Sequence, residues 1–285
     1  DALDVIKGLD YEITEDNLVE IEKLPGIGKG SIDRIKEIIE TNDLKEIVKT
    51  DNYRDVVDEL AKVIGIGESI ASNLIDKYNV VSVQDLIDRK DEIPLNDKIL
   101  LGLKYWGKQK ERIPRAIMDE TYNYLRTIFR DKDADLMFYM CGSYRRGKPE
   151  SGDIDVLLVH KNYKTQEDVI NSMYLRQVID WLHEDGFLLD DLTDADRTKY
   201  MGFCRDNMRI DIRMVGMDSY AYALLYFTGP YELNQRMRSV AKKMGYKLNE
   251  YGLYDTNNNL IHAINEKEIF ELLGMEYIEP TDRRQ

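Results

Sequence analysis

Residues 151–159 limit the fold most strongly, because they set two aspartates into a segment that is otherwise apolar. Their sequence is SGDIDVLLV. Side chains alternate between the two faces of a β-strand, so Asp153 and Asp155 share one face while Ile154 and Val156 point into a core. The pattern therefore predicts a strand that carries two carboxylates on one rigid face.

A loop of glycine, serine and arginine, GSYRRG at residues 142–147, precedes this strand. Backbone amides in such a loop can bind an anion, and guanidinium groups bind phosphate oxygens in bidentate pairs. Magnesium prefers oxygen ligands, usually one or two carboxylates together with substrate phosphates. Two such ions can hold the attacking and leaving oxygens of a phosphoryl displacement. Loop and strand together indicate nucleotidyl transfer.

A third acid supports a metal site. Residues 209–213 read RIDIR, and this strict alternation predicts a second strand with Asp211 on its polar face. The chain is rich in acids, however, with 54 Asp and Glu among 285 residues. Aspartates with the same spacing recur at 131–135 and 194–196, in polar stretches typical of solvated turns. Only the convergence of three acids from two apolar strands favours metal binding over a solvated surface.

Composition limits the class of protein. A hydrophobic content of 43% and a charged content of 33% are typical of a folded globular chain. No segment approaches the roughly 18 consecutive apolar residues of a membrane helix, and no basic-then-apolar signal segment begins the chain. Cys141 and Cys204 are flanked by apolar residues, so we expect buried free thiols in a reducing compartment, the nucleus or the cytoplasm. The three histidines are scattered, which gives no support to histidine-based chemistry.

The net charge of −14 argues, by itself, against a nucleic-acid partner. The charge is uneven, because basic residues cluster at 104–115, 145–148 and 236–247. Screening over roughly 8–10 Å at physiological salt lets such patches act locally. The whole-chain charge therefore does not exclude DNA.

Two copies of one pattern occupy the first third of the chain. LPGIGKG at residues 24–30 and VIGIG at residues 63–67 are each followed by apolar residues at helical spacing. Such turns allow close backbone approach, and the amides that open the next helix form an anion seat. A single copy reads equally well as a helical corner with a glycine cap. Two copies favour helix-hairpin-helix contacts to DNA phosphates, made by Gly26, Gly28, Lys29, Gly65 and Gly67.

The remaining patterns predict an α+β multidomain chain, in which a helical region precedes a mixed sheet with helices and a small α+β part. We expect helices over residues 116–129, 169–183, 219–227 and 231–244. We expect strands at 137–141, 154–159, 200–204 and 209–215, and a hairpin that turns at 256–259. No linker rich in glycine and serine separates these parts.

In this order, downstream of two hairpins, GSYRRG, SGDIDVLL, RIDIR and YFTG resemble the family X DNA polymerases. The resemblance covers the chain from about residue 24 onward. It implies a truncated lyase-like helical domain (1–49), a helical DNA-binding subdomain (50–112) and a nucleotidyltransferase palm (113–215). The remainder (216–285) would hold the dNTP and the nascent base pair.

The resemblance also implies roles for individual residues. Asp153, Asp155 and Asp211 would bind two Mg²⁺ ions, for which Mn²⁺ can substitute. Asp211 would help to activate the primer 3′-hydroxyl, which attacks the α-phosphate of the dNTP and expels pyrophosphate. Arg213 would pair with the second metal aspartate in an open state and act as a conformational switch. Residues expected to bind the dNTP are Arg112, Ser143, Arg146, Ser151, Gly152, Tyr226, Phe227, Gly229 and Asn234.

Other expectations concern the DNA. Arg238 would contact the template, and each hairpin could hold a monovalent cation. Tyr226 and Phe227 would pack against the dNTP sugar, and only without the Thr-Gly that follows them would plain core packing be the preferred interpretation. The strand pair around residues 204–209 is joined by a short turn, whereas relatives that extend DNA without a template carry a long loop there. We therefore expect a requirement for a template.

Two departures from the family pattern matter. The lyase nucleophile of the family is a lysine, and its position here is occupied by Arg34, which stays protonated. Lys29 or Lys36 could substitute, though each is equally well read as a phosphate contact or a solvated side chain. The preceding segment is also too short for a whole lyase bundle, so weak or absent lyase activity is expected. The second departure is Gly229-Pro230, where the family turn implies a cis bond that proline makes less costly.

These inferences predict a template-directed, gap-filling DNA polymerase of the base-excision-repair type. Its partners would be gapped or nicked double-stranded DNA and dNTPs, without a membrane, and it would be monomeric. One alternative is a template-independent nucleotidyltransferase, or one that acts on RNA or a small molecule. The other is a DNA-end scaffold that has lost catalysis.

Overall fold

A computed structural model describes residues 1–41, 45–194 and 196–284, with the side chains of 45–51 excluded. The chain divides into two compact units, residues 1–103 and 104–285. The predicted boundary between residues 49 and 50 falls within a continuous helix, Lys45–Leu60. The division into four domains therefore remains a prediction.

The first unit is helical among the residues described. Its helices are α1 (Ala2–Lys7), α2 (Leu18–Glu22), α3 (Lys29–Thr41), α4 (Lys45–Leu60), α5 (Glu68–Tyr78), α6 (Val83–Asp88) and α7 (Asp97–Tyr105), the last of which ends in the second unit. Gly26 and Gly65 adopt φ angles of +90° and +93° in the turns before α3 and α5. These are left-handed conformations that favour glycine. Both predicted helix–turn–helix pairs are thus present.

The second unit contains a sheet in the strand order β2-β4-β7-β6-β5. Its strands are β2 (Leu136–Met140), β4 (Ile154–His160), β5 (Leu188–Asp191), β6 (Lys199–Cys204) and β7 (Met208–Met214). A short pair, β1 (Ile113–Pro114) with β3 (Glu150–Ser151), lies outside this sheet. β4 and β7 are parallel, and the other pairs in the sheet are antiparallel. This arrangement places the two predicted acidic strands side by side.

Helices cover both faces of the sheet. Ile154, Val156 and Leu158 of β4 belong to a core shared with α8 (Arg115–Lys132) and α11 (Tyr174–Glu184). Leu157 and Val159 face the other way and pack with residues of α12 (Tyr220–Thr228). The carboxylates of Asp153 and Asp155 thus lie on the α12 face, as strand alternation requires.

The helix predicted over residues 169–183 is wrong in one respect, because the structure has two helices there. α10 (Gln166–Ser172) and α11 are separated by Met173, whose φ is +55°. The Ser172 hydroxyl donates to the Val169 carbonyl at 2.7 Å and accepts from the Tyr174 amide at 3.1 Å. A side chain that bonds to its own backbone competes with the helix and ends it. Strand β5 was not predicted.

The C-terminal part packs α12, α13 (Tyr231–Lys243) and α14 (Glu266–Leu272) against the strands β8 (Lys247–Leu248), β9 (Leu253–Tyr254) and β10 (Leu260–Ile261). The hairpin predicted at 256–259 joins β9 and β10. The Gly229-Pro230 bond is cis, as expected. Both cysteines are buried free thiols. In the described part of the chain, none of the helices combines the length and apolar character needed to cross a bilayer.

Candidate active site

Three carboxylates converge on the face that the neighbouring strands β4 and β7 share. Asp155 and Asp211 are directly opposite each other in the parallel register, and Asp153 immediately precedes β4. Each offers an oxygen such that all three atoms lie within 4.8 Å of one another. The trio that the sequence predicted is therefore assembled in the structure.

Burial and the repulsion between carboxylates raise the pKa of two of the three acids. Burial, followed by the charges of Asp153 and Asp211, raises the pKa of Asp155 to about 7. Burial and the charge of Asp211 also raise the pKa of Asp153. Arg209 opposes this effect, because its guanidinium donates to Asp211 Oδ1 at 2.8 Å. Arg209 and Arg213 lower the pKa values of these acids by less than burial and the neighbouring carboxylates raise them.

That charge fits a divalent cation. Magnesium and manganese are held by carboxylate oxygens, and the three aspartates form such a donor set with the burial and mutual repulsion that a bound cation would relieve. Asp153, Asp155 and Asp211 are the residues that would hold it. The identity and number of ions remain predictions.

The position that starts the loop has no room for a side chain, because the Asp155 carboxylate lies next to it. Gly142 has a φ of +62°, and a Cβ built on it would lie 2.6 Å from Asp155 Oδ2. Any other residue would combine backbone strain with a collision against the carboxylate. The only sequence signal for this role is that Gly142 opens the GSYRRG motif, and the sequence analysis did not predict the role.

The loop residues are held in defined positions, and the first four of them form the short helix α9 (Gly142–Arg145). Ser143 forms a hydrogen bond with the buried Ser151, with 2.8 Å between the hydroxyl oxygens. Arg146 donates to the Thr228 carbonyl at 2.7 Å. A Cβ built on Gly152 would meet nothing within 4 Å, so the backbone there is open to a ligand. Arg112 pairs with Glu150 at 2.9 Å, and its side chain is 59% exposed.

A cavity of about 180 Å³ adjoins the acids. It is lined by Asp155, Asp211, Arg213, Tyr226 and Phe227 together with Cys141, Val156 and Leu157. Arg213 stacks on the Phe227 ring at 4.8 Å, and its charge lowers the pKa of Asp155. The two aromatic rings therefore border the site as well as packing against each other. The switch role of Arg213 remains a prediction.

The predicted template and base-pair residues cluster around Tyr226. Asn234 donates to the Tyr226 carbonyl at 2.9 Å, and the Arg238 guanidinium lies 5.1 Å from the Tyr226 ring centre. Arg238 also approaches Glu250 at 3.8 Å. Gly229 has a φ of +68° in the turn that follows α12. The hairpin residues belong to the first unit, where Gly28 and Gly67 have open space around them.

A buried ionic group lies behind the loop, and no role was predicted for it from the sequence. Glu266, only 5% exposed, accepts from Arg145 at 2.6 Å and from Arg283. Arg145 also donates to Thr228 Oγ1 at 2.9 Å. Glu266 is 121 residues from Arg145, so no local pattern could have indicated the pair.

A mixed sheet that carries three carboxylates on neighbouring strands, beside a glycine-bounded anion loop, defines the nucleotidyltransferase palm class. Comparison with known proteins agrees. One family model, described as DNA polymerase beta palm, matches residues 112–217, and a second, DNA polymerase beta thumb, matches residues 223–284. Together they cover more than half of the chain. The chain belongs to the family X DNA polymerases and is close to the polymerase β type.

Individual relatives are consistent with this. DNA polymerase lambda from Rattus norvegicus is 28% identical over an alignment of 281 positions that covers 91% of this chain and 48% of the relative. DNA polymerase lambda from Arabidopsis thaliana is 29% identical over an alignment of 291 positions that covers 93% of this chain and 53% of the relative. DNA nucleotidylexotransferase from Xenopus laevis is 25% identical over an alignment of 325 positions that covers 99% of this chain and 62% of the relative. The chain thus spans about half the length of the polymerase lambda relatives.

A crystal structure of Leishmania infantum polymerase beta, in a ternary P/T complex, has the same fold. The match has a TM-score of 0.76 and 29% sequence identity, and it covers 82% of this chain and all of the other.

Proposed function

We propose that this chain is a template-directed DNA polymerase that fills short gaps, adding a dNMP to a primer 3′-hydroxyl. The observation that carries the proposal is the convergence of Asp153, Asp155 and Asp211 beside the phosphate loop. Membership of the family X DNA polymerases supports the same reaction. A repair role, with gapped or nicked DNA and dNTPs as partners, follows from the resemblance and from the paired hairpins.

In the proposed reaction, Asp153, Asp155 and Asp211 would hold divalent cations, which would stabilise the negative charge that develops on the reacting oxygens. Asp211 would also help to accept the proton of the primer 3′-hydroxyl. Arg209 donates to Asp211 Oδ1 at 2.8 Å and so orients that carboxylate. The carboxylates therefore act from positions fixed before the substrate arrives.

The loop and the aromatic pair bind the incoming nucleotide. Ser143 and Arg146, with the amides near Gly152, offer donors to the triphosphate. Tyr226 and Phe227 border the cavity beside Asp211, where they would contact the sugar. Arg112 would exchange Glu150 for a phosphate oxygen, because a doubly charged phosphate attracts guanidinium more strongly than a carboxylate does.

The turn between β6 and β7 supports a need for a template. Residues Arg205–Asn207 form a three-residue turn in which Asp206 and Asn207 have left-handed φ angles, and Cys204 already pairs with Met208 across the hairpin. No long segment is available there to occupy the place of a template strand. Extension without a template is the rival activity, and the nucleotidylexotransferase relative makes it worth testing.

A primer-extension assay tests the proposal. We expect incorporation of the complementary dNMP opposite a one-nucleotide gap with Mg²⁺, and little with NTPs or with single-stranded primer. Asp211→Ala should reduce the rate by about 100-fold or more, the usual range for loss of a proton acceptor. Asp180→Ala, at an exposed acid on α11, is the matched control and should retain full activity.

The assay also separates the rivals. Efficient extension of single strands, or a preference for NTPs, would contradict the templated DNA reaction. An inactive wild-type protein that binds gapped DNA, with binding unchanged by Asp211→Ala, would instead support a scaffold.

A further inference from the structure

The phosphate loop, residues 142–148, is held from outside by the N-terminal end of α8. Arg115 Nη1 donates to the Tyr144 carbonyl at 2.9 Å and to the Lys148 carbonyl at 3.1 Å. The Arg115 backbone amide also donates to the Pro149 carbonyl at 2.9 Å. One residue of a long helix thus bonds to both ends of the turn that carries Ser143 and Arg146.

Tyr144 gives the loop a second attachment to the same helix. Its hydroxyl donates to Asp119 Oδ1 at 2.6 Å, and the Arg115 guanidinium lies 4.4 Å from the centre of its ring. Burial, and then the hydrogen bond to Asp119, raises the pKa of Tyr144 to about 12, so the phenol remains a donor at neutral pH. Arg115 and Asp119 lie one helical turn apart, which lets them contact one tyrosine together.

The loop has reason to need these contacts. It begins at Gly142 and turns at Gly147, which have φ angles of +62° and +79°. Glycine gives the unbound chain many alternative conformations. An anion site made of backbone amides binds strongly only when the amides already point at the ligand, because ordering the loop on binding would subtract from the affinity. By contrast α8 is an 18-residue helix with Met118, Leu125 and Phe129 buried in the core.

We propose that Arg115, Asp119 and Tyr144 are positioning residues that pre-order the phosphate loop for the triphosphate of the incoming nucleotide. This inference rests on the proposed function, since it concerns the nucleotide site of the same reaction. The three residues act through the loop rather than on the reacting atoms. Their loss should therefore weaken nucleotide binding and leave the chemical step almost unchanged.

The chain contains a matched control on the same helix. The Tyr124 hydroxyl donates to Asp185 at 2.5 Å, and the Arg205 guanidinium lies 4.8 Å from the Tyr124 ring centre. This group has the same three residue types and similar distances, but it attaches α8 to the end of α11. Among the residues that the structure describes, this group has no hydrogen bond or ring contact with the phosphate loop, so its loss reports on general stability alone.

The experiment compares Tyr144→Phe and Arg115→Lys with Tyr124→Phe and Arg205→Lys. For each full-length variant, KM for the dNTP and kcat are measured on gapped DNA, and the melting temperature is recorded. The affinity for Mg²⁺·dATP without DNA is measured by calorimetry. Tyr144→Phe should raise KM and Kd by about three- to tenfold, the usual effect of one hydrogen bond, with kcat within about twofold of wild type. The control variants should leave KM and Kd unchanged even where their melting temperatures fall equally.

A rescue variant tests the role of the hydrogen bond. Asp119→Asn keeps an oxygen acceptor for the Tyr144 hydroxyl, so it should resemble the wild type, while Asp119→Ala should resemble Tyr144→Phe. Equal KM and Kd in the loop and control variants would overturn the inference, as would a fall in kcat without a change in KM. A wild-type protein that binds Mg²⁺·dATP but extends no primer would defeat the proposed function alone, because Kd still tests the loop.

Discussion

At the scale of single residues, Asp155 shows how the site conflicts with stability. Its carboxylate is largely removed from water and lies beside two other acids, and both effects raise its pKa to about 7. Burial and like charge both penalise the ionised carboxylate, so a neutral residue of the same shape lessens this cost when no cation is bound. The position therefore serves the chemistry of the site at a cost to the metal-free fold.

This conflict predicts a pH dependence. The pKa of Asp155 is about 7 in the folded protein and close to 4 in an unfolded chain. Between these values the folded state binds more protons, so the free energy of unfolding decreases as pH rises from about 4 to 7. Asp155→Asn should remove this decrease and, in EDTA at pH 8, stabilise the protein by on the order of 1–3 kcal/mol.

Urea unfolding of both proteins across this pH range measures the effect, with Asp180→Asn as an exposed control. Added Mg²⁺ should raise the melting temperature of the wild type more than that of Asp155→Asn, because a ligand stabilises the state that binds it. A variant less stable than the wild type at pH 8 in EDTA would contradict the argument.

At the scale of elements, the two hairpins and the acidic strands follow their local patterns. The first glycine of each turn, Gly26 or Gly65, has a left-handed φ, and α3 and α5 start directly after the second, Gly28 and Gly67. The strands β4 and β7 lie within one residue of their predicted bounds, but burial alternates only around the aspartates, because helices cover both faces of the sheet. The helical period alone predicted one helix over residues 169–183, because it does not reveal that the Ser172 side chain bonds to neighbouring backbone groups and ends α10.

Helix α3 bears on the outcome of a lyase assay. The resemblance implies that Arg34 takes the position at which the family's lyase enzymes carry a nucleophilic lysine, and a protonated guanidinium cannot form a Schiff base. We therefore expect no covalent adduct when the protein, a 5′-deoxyribose phosphate substrate and borohydride are incubated together. Arg34→Lys is the informative companion variant, since it restores the amine. Efficient trapping of the wild type at Lys29 or Lys36 would overturn this expectation.

At the scale of the whole molecule, charge is divided unequally between the two units. Residues 1–103 contain 24 Asp and Glu against 13 Lys and Arg, whereas residues 104–285 contain 30 against 27. The unit with both hairpins thus carries most of the net negative charge. The DNA contacts predicted there would depend on backbone amides and a few basic side chains such as Lys29.

Because few basic side chains are available to neutralise phosphates, we expect the affinity for DNA to depend only weakly on salt concentration. For nicked DNA we expect the slope of log Kobs against log salt concentration to be about −2 to −4, at roughly −0.9 per phosphate neutralised. Anisotropy titrations between low and moderate salt measure this slope. Lys29→Gln should make it shallower by about one, and Lys90→Gln, outside both hairpin turns, is the control. A wild-type slope steeper than about −6 would show that this charge argument fails.

The amino-acid sequence by itself determined the local elements and their chemistry. Alternation placed Asp153 and Asp155 on one strand face, and glycine spacing placed the turns, because both depend on residues close together in the chain. Only the tertiary structure decided the rest. The parallel register that sets Asp155 opposite Asp211, the Arg145–Glu266 pair, and the attachment of Tyr144 to Asp119 each join distant segments. Such contacts depend on how whole elements pack, which no neighbouring residues encode.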